Sequence, residues 1–319
     1  MNIERFGKGA LKTPKVIRDK HYRILTAPAL IDWNLSYSVE NINNFVLPQR
    51  DQDGSSSCTA QAACYYCEAL EKIEHQKDER YSARFNYSQS VAPGGGAYIW
   101  KAMSIPLKIG TVAMNSVPDG DSSEKIMTDQ TLNPAALIEA RADKYAVIPR
   151  SNIDQMAQIV KDYGGFITGF NGRNDMFSPD GTANVFTGMS EWGHAVYVCG
   201  YKLHDGRKCL IFKNSWASKW GDGGYGYFPE EFVNSGLMFD CYVYAELTDL
   251  DPASVMKFEL KQTSGQKDVW LIRNGQRSLV YNASALLLVA DFGDIKPITQ
   301  QELDALPDTG KVLASIEQE

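Results

Sequence analysis

At 319 residues with 44% hydrophobic side chains, the chain has room for one large domain or two unequal ones, each with its own core. Lys and Arg number 32 against 39 Asp and Glu, a formal charge of −7; this excludes non-specific nucleic-acid binding as the main task, because such binding rests on basic side chains neutralising phosphates. The six cysteines are too few and too unevenly placed for a disulfide scaffold, which favours free thiols, and no apolar run approaches the ~20 residues of a membrane span.

Residues 1 to about 27 show little periodicity and read as a loosely held N-terminal arm. The arm is basic and polar without the apolar centre of a signal peptide, so the expected location is cytoplasmic, with release or particle association left open. Ala29 to Trp33 is a short apolar stretch that suits an opening strand. Past a loop from Pro48 to Ser57, residues Ala60, Ala63, Cys64, Cys67, Leu70 and Ile73 recur at three- and four-residue steps. They predict an amphipathic helix from Cys58 to about Gln76, with Ser55, Ser56 and Ser57 as candidate N-caps. Gly94-Gly95-Gly96 interrupts the chain where backbone freedom or close approach of another chain is wanted. A second helical pattern runs from about Tyr98 to Lys108, and residues 115 to 133, rich in Ser, Asp and Gly, read as a surface loop.

Ile153 to Tyr163 is helical by period. Gly165 to Phe170 then opens a series of strands that continues at 194–203, 208–213, 224–228 and 241–247. A helical first part and a β second part make the class α+β. Near Asp249-Leu250-Asp251-Pro252 the character changes. Beyond it come a strand (Val269 to Ile272), a turn at Asn274-Gly275, a second strand (Ser278 to Tyr281), a small helix (Ala283 to Ala290) and an acidic finish through Thr299-Gln300-Gln301-Glu302-Leu303. The expected division is an arm (1–27), a main domain (28–250) and a small C-terminal α/β module (262–316).

The run Lys213-Asn214-Ser215-Trp216 directs attention upstream to His194, in Trp192-Gly193-His194-Ala195-Val196, and to Cys58 at the mouth of the first helix. A thiol, an imidazole and an amide in that order are the parts of a cysteine nucleophile with its base and its orienter. A helix N-terminus and a nearby imidazolium would favour the thiolate of Cys58. Asn214 would fix the tautomer and orientation of His194, Trp216 would cover that bond from water, and the Gln52 amide would join the Cys58 backbone N–H in an oxyanion hole.

These residues resemble the papain-like cysteine peptidases, the C1 family. Lys213 to Tyr225 is similar to that family's Lys-Asn-Ser-Trp-Gly-x-x-Trp-Gly-x-x-Gly-Tyr segment, with Ala217 where glycine is usual. Asp32-Trp33 looks like the start of the mature domain and Gly95-Gly96 like the glycine pair lining the substrate cleft; the resemblance covers about 28 to 248. It implies a helical subdomain and a β-barrel subdomain with the Cys/His pair between them, and a substrate pocket walled by Trp192, Gly193 and Leu237 or Met238. Thr59 stands where an aromatic usually follows the nucleophile, and Ser55 where a half-cystine is usual, so that disulfide cannot form, which fits a reducing compartment. The family's long inhibitory propeptide has no counterpart in the roughly 30 residues before the matched region.

Several residues carry plainer readings. Cys64 and Cys67 lie on the apolar face of one helix without two further zinc ligands, and Cys199, Cys209 and Cys241 alternate with apolar neighbours, so all five read as core. His21, His75 and His204 stand in polar surroundings and read as solvated. The expected function is a cysteine endopeptidase working through an acyl-enzyme thioester on peptide or protein substrates, with no metal and no cofactor. The rivals are a transacylase or transpeptidase of the same fold, and a binding or structural protein that keeps the fold without turnover. Leu271-Ile272-Arg273-Asn274-Gly275-Gln276-Arg277, with Glu302-Leu303-Asp304-Ala305-Leu306-Pro307 after it, is similar to short bacterial repeats; docking of a partner and a passive cap are both open for this module.

Overall fold

The computed structural model describes residues 9–14, 31–108, 110–120, 123–129, 138–140, 145–148, 152–244, 258–266, 268–273, 276–280 and 295–312. Two compact units divide the chain, Met1–Glu246 and Leu247–Glu319. Among the described residues no helix is long and apolar enough to cross a membrane.

The first unit contains, in order, β1 (Ala10–Leu11), β2 (Tyr37–Ser38), α1 (Val39–Ile42), α2 (Cys58–His75), α3 (Ala83–Ser90), β3 (Ala97–Tyr98), α4 (Ile99–Lys108), β4 (Thr111–Val112), α5 (Glu124–Met127), β5 (Ile138–Ala140), β6 (Tyr145–Val147) and α6 (Ile153–Tyr163). There follow β7 (Phe166–Gly172), β8 (Trp192–His204), β9 (Arg207–Lys213), β10 (Tyr225–Pro229), α7 (Glu230–Asn234) and β11 (Met238–Tyr244). The helical half centres on α2, whose residues from Cys58 to Ala69 are all buried; a helix enclosed on every side belongs in a core rather than on a surface. The β half is a seven-stranded sheet in the order β10-β9-β8-β7-β11-β6, with β2 added on β8. Its pairings are antiparallel. This two-part α+β arrangement is the papain-like fold.

A buried cluster ties the two halves together ahead of α2. The Arg50 guanidinium pairs with Glu68 of α2 and donates to the Tyr81 carbonyl at 2.7 Å and to Gln61 at 3.2 Å. Asp51 bridges Trp216, and the Ala217 N–H donates to the Arg50 carbonyl at 3.1 Å. The segment 50–52 is therefore held by α2 on one side and by the chain leaving β9 on the other.

Several elements depart from the expectations. Ala29 and Leu30 lie outside the described residues, and Ile31 to Trp33 form no strand; the first strand of the main sheet is Tyr37–Ser38. Helix α3, with Ser82 capping the Phe85 N–H, is absent from the sequence reading, because its polar ARFNYSQS run shows little apolar period. The loop expected over 115–133 contains α5, which buries Met127 and leaves Glu124 half-buried. The arm is not loose over residues 9–14: Ala10 is 7% exposed, Thr13 is 2% exposed, and β1 pairs with β3 in parallel. Pairing with a distant strand leaves no local period, which is why the sequence does not reveal it.

The second unit is a mixed five-stranded sheet in the order β15 (Lys296–Ile298), β12 (Phe258–Thr263), β13 (Val269–Arg273), β14 (Gln276–Val280), β16 (Asp308–Val312). The three middle strands are antiparallel and the outer two pair in parallel. Helix α8 (Gln300–Asp304) begins with a full capping box between Thr299 and Glu302. The expected turn Asn274-Gly275 and the helix at 283–290 lie outside the described residues.

Candidate active site

The thiol of Cys58 opens the first turn of α2 and is fully buried. None of the three serines caps this helix: Ser57, at the N-cap position, makes no side-chain cap bond. Its hydroxyl pairs with that of Ser55 at 2.8 Å, and Ser55 Oγ donates to the Gln52 carbonyl at 2.8 Å. The serines thus brace the turn and leave the helix N-terminus without a side-chain cap, an arrangement suited to an anion.

His194 stands on β8 opposite Phe170 of β7, whose ring lies edge-on at 5.6 Å. Its Nε2 is 2.8 Å from Asn214 Oδ1. Asn214 follows directly on the end of β9, its N–H donating to the Gly224 carbonyl at 2.9 Å, and its Oδ1 also accepts the Ser215 N–H at 2.8 Å. Trp216, fully buried, stacks on the imidazole with 4.4 Å between ring centroids and 29° between planes. The backbone N–H of Ala195, next to His194, reaches the Cys58 thiol. Cys58, His194, Asn214 and Trp216 are therefore gathered in one place from α2, β8 and the chain after β9.

Gln52 is fully buried in the same place. Its N–H donates to the Ser215 carbonyl at 2.9 Å, Ser215 Oγ donates to its Oε1 at 2.6 Å, and its Nε2 donates to the Ser55 carbonyl at 2.9 Å. Ser215 thus grips both Asn214 and Gln52, a link the sequence reading missed because it needs the fold to bring residues 52 and 215 together.

Of the glycine pair, Gly96 packs against the chain at Gly9, while Gly95 stands more open. A Cβ on Gly96 would come 2.4 Å from the Gly9 carbonyl oxygen, whereas Gly95 has only Glu124 Oε1 within 4 Å, at 3.7 Å. Both have left-handed φ, +72° and +93°. Gly193 is packed closely, with Ala10 O 2.3 Å and Phe239 Cζ 3.7 Å from where its Cβ would be. Trp192 packs over Gly172 and donates its indole N–H to Asn174 at 3.0 Å. Glu124 ties the turn before α2 to the glycine stretch: it accepts the Ser56 N–H at 2.7 Å and the Tyr87 hydroxyl at 2.8 Å, and that hydroxyl accepts the Gly96 N–H at 2.9 Å. Ser123 as the N-cap of α5 is the one sequence signal that could have placed Glu124 in structure.

The thiol's acidity differs from the expectation. Burial pushes Cys58 up from 9.0 to about 11, and backbone N–H groups of Gly9, Ala195, Thr59 and Ala10 oppose the rise only in part. Elsewhere, burial also raises the thiols of Cys64, Cys67, Cys199 and Cys209, and all six cysteines are free. His204 is half-buried rather than solvated: it stacks on Tyr227 and meets Asp180 at 2.6 Å. Asp180, His204 and Asp205 have ligand atoms within 4.8 Å of one another; Asp180 is already committed to His204 and to the Thr182 hydroxyl at 2.9 Å. His75 is exposed, and His21 lies outside the described residues.

A family model described as papain family cysteine protease matches residues 27–244. A cysteine protease of Blomia tropicalis is 25% identical over 229 residues, covering 66% of this chain and 63% of that protein. The chain therefore spans less than two thirds of the length of that curated relative. Among solved structures, xylellain, a cysteine protease from Xylella fastidiosa, superposes with a TM-score of 0.62 at 19% identity, over 76% of this chain and 98% of that one. Digestive procathepsin L2 of the Tenebrio molitor larval midgut gives 0.64 at 18%, over 77% and 80%. At these identities the two structures speak for the fold.

Proposed function

The chain belongs to the papain family of cysteine proteases, and we propose that it hydrolyses peptide bonds at Cys58 through an acyl-enzyme thioester. The observation that carries this reading is the His194 Nε2 to Asn214 Oδ1 bond of 2.8 Å under the stacked ring of Trp216, next to a thiol on the first turn of a helix. With Nε2 committed to Asn214, Nδ1 is the nitrogen that exchanges a proton with the thiol. The thiolate attacks the scissile carbonyl carbon, and the oxyanion is received by the Cys58 backbone N–H and the Gln52 amide. The C–N bond then breaks as His194 gives its proton to the leaving amine, and water, deprotonated by the same imidazole, releases the acid. Ser215, by accepting no part of this chemistry and holding Gln52 Oε1, keeps the Gln52 amide turned with its N–H groups toward the helix turn. Six free thiols suit a reducing compartment.

Cys58→Ala is expected to lower peptide hydrolysis by a factor on the order of 10³ or more, and an epoxide or vinyl-sulfone thiol trap is expected to label the wild type at Cys58. Continued cleavage by the variant at the wild-type rate would sink the reading.

A further inference from the structure

The turn that delivers Cys58 is held from two sides, and only the inner side is made by the residues gathered around the thiol. We propose that Glu124 is a positioning residue for the reaction: its carboxylate clamps the outer side of that turn to the glycine stretch 94–96, so that the nucleophile and the glycine stretch keep a fixed separation. The inference rests on Cys58 being the nucleophile, as argued above.

On the inner side, Ser55 and Ser57 pair their hydroxyls at 2.8 Å, and the Gln52 amide donates to the Ser55 carbonyl at 2.9 Å. Ser55 is thus spent within the turn, at the place where a half-cystine would have offered a covalent tie. On the outer side the Ser56 N–H, two residues before the nucleophile, donates to Glu124 Oε2 at 2.7 Å across 68 positions of the chain. Glu124 Oε1 accepts the Tyr87 hydroxyl at 2.8 Å, and the Tyr87 oxygen accepts the Gly96 N–H at 2.9 Å. The direction of the middle bond matters. A phenol has one proton, so giving it to Glu124 leaves the oxygen free to accept from Gly96. Tyr87 is fully buried, and burial together with its bond to the Glu124 carboxylate holds the phenol well above the ordinary tyrosine range, so that proton stays in place.

Glu124 is itself aimed by its surroundings. Ser123 Oγ accepts the Ile126 N–H at 3.4 Å at the start of α5, and Met127 is fully buried. Arg84 of α3 donates to the Ile126 carbonyl at 3.1 Å and pairs with Asp129 at 3.2 Å, which fixes α5 against the helix that carries Tyr87. None of the ion pairs among the described residues includes Glu124. Its charge therefore goes to the two donors, and charge-assisted hydrogen bonds are about twice as strong as neutral ones. Without the carboxylate the Ser56 N–H loses its acceptor, the Tyr87 hydroxyl loses its orientation, and the turn before Cys58 keeps only its inner contacts. A reacting group misplaced by about 1 Å costs on the order of 10²-fold in rate, so a smaller release of the turn is enough to be measured.

The two arms of the clamp can be cut separately. Wild type, Glu124→Ala, Glu124→Gln, Tyr87→Phe and the solvent-facing control Lys125→Ala are compared as full chains, each shown to be folded by its circular dichroism melt. Amide hydrogen exchange, read by NMR at single residues, follows the Ser56 and Gly96 N–H groups, and kcat and KM are measured on a peptide substrate. Glu124→Ala is expected to speed exchange at both amides about tenfold and to lower kcat about tenfold, with Lys125→Ala matching wild type. Glu124→Gln keeps a carbonyl oxygen for the Ser56 N–H and is expected to recover kcat to within about threefold of wild type. Tyr87→Phe cuts only the arm to the glycine stretch, which resembles the one lining the family's substrate cleft. There exchange at Gly96 and KM should rise, while exchange at Ser56 and kcat stay within about twofold. Unchanged exchange at Ser56 and Gly96 in Glu124→Ala, or a kcat equal to that of Lys125→Ala, would overturn the proposal. Equal losses in Glu124→Ala and Glu124→Gln would overturn it too, because the negative charge and not the held geometry would then be the cause. Faster exchange at both amides with no hydrolysis by any of the five proteins would leave the clamp standing and instead defeat the hydrolase reading.

Discussion

Ala217 shows how one residue can carry both a resemblance and its departure. It occupies the place where the papain-like segment usually has glycine, and its φ of +62° gives the reason: the chain turns there through left-handed backbone to bring Trp216 under His194. An L side chain in that region costs about 1–2 kcal/mol, part of which is offset because glycine loses more backbone entropy on folding. Ala217→Gly is therefore expected to stabilise the first unit by about 0.5–1 kcal/mol, read as a higher denaturant midpoint with an unchanged slope. Cys58 gives a second expectation at this scale. With its folded value raised from 9.0 to about 11, the folded chain holds the thiol proton where the unfolded chain has begun to lose it. The stabilisation from this linkage is full below about pH 9 and is lost as pH rises through about 11. In the folded protein the thiolate at pH 7 is on the order of one part in ten thousand. Alkylation of Cys58 should accordingly climb with pH up to about 11. An alkylation midpoint at 9 or below would mean that burial does not raise the thiol.

At the scale of elements, α2 and the segment before it act as one piece. Arg50 and Glu68 are an ion pair with side chains 1% and 0% exposed, and Glu68 also accepts the Tyr81 N–H at 2.8 Å. Removing one member of such a pair leaves a buried charge without its partner, which costs about 3–5 kcal/mol. Glu68→Ala is expected to lose that much in equilibrium unfolding, and a loss under 1 kcal/mol would show that water or Asp119 takes over. The periods of α2, α4 and α6 were readable because each repeats apolar residues on the 3.6-residue cycle over two turns or more. The strands from β7 to β11 were readable because they are rich in branched and aromatic residues bounded by glycine. Short or polar elements were not: α3 and α5 carry their contacts through Asn86, Arg84 and Glu124 rather than an apolar face, and strands of two residues such as β1 and β3 have no period at all.

At the scale of the molecule, Cys58, His194 and Asn214 could be named from the chain because the chemistry demands those residue types, and because the run around Asn214 resembles that of a family whose order is thiol, imidazole, amide. Their assembly from α2, β8 and the end of β9 depended on long-range pairing: Arg50 to Glu68, Gln52 to Ser215, Asp51 to Trp216. The seating of residues 9–14 belongs wholly to this level. Nothing in Gly9 to Pro14 marks these residues as structured, since their partners, Cys58, Ala97 and the Asp240 carboxylate among them, lie far along the chain. Residue type and local period are written into the chain and survive without the fold; burial, hydrogen-bond partners and the acidity of a thiol arise only when distant segments exclude water together. That is why the sequence could single out Cys58, while the folded chain revealed that its thiol is covered.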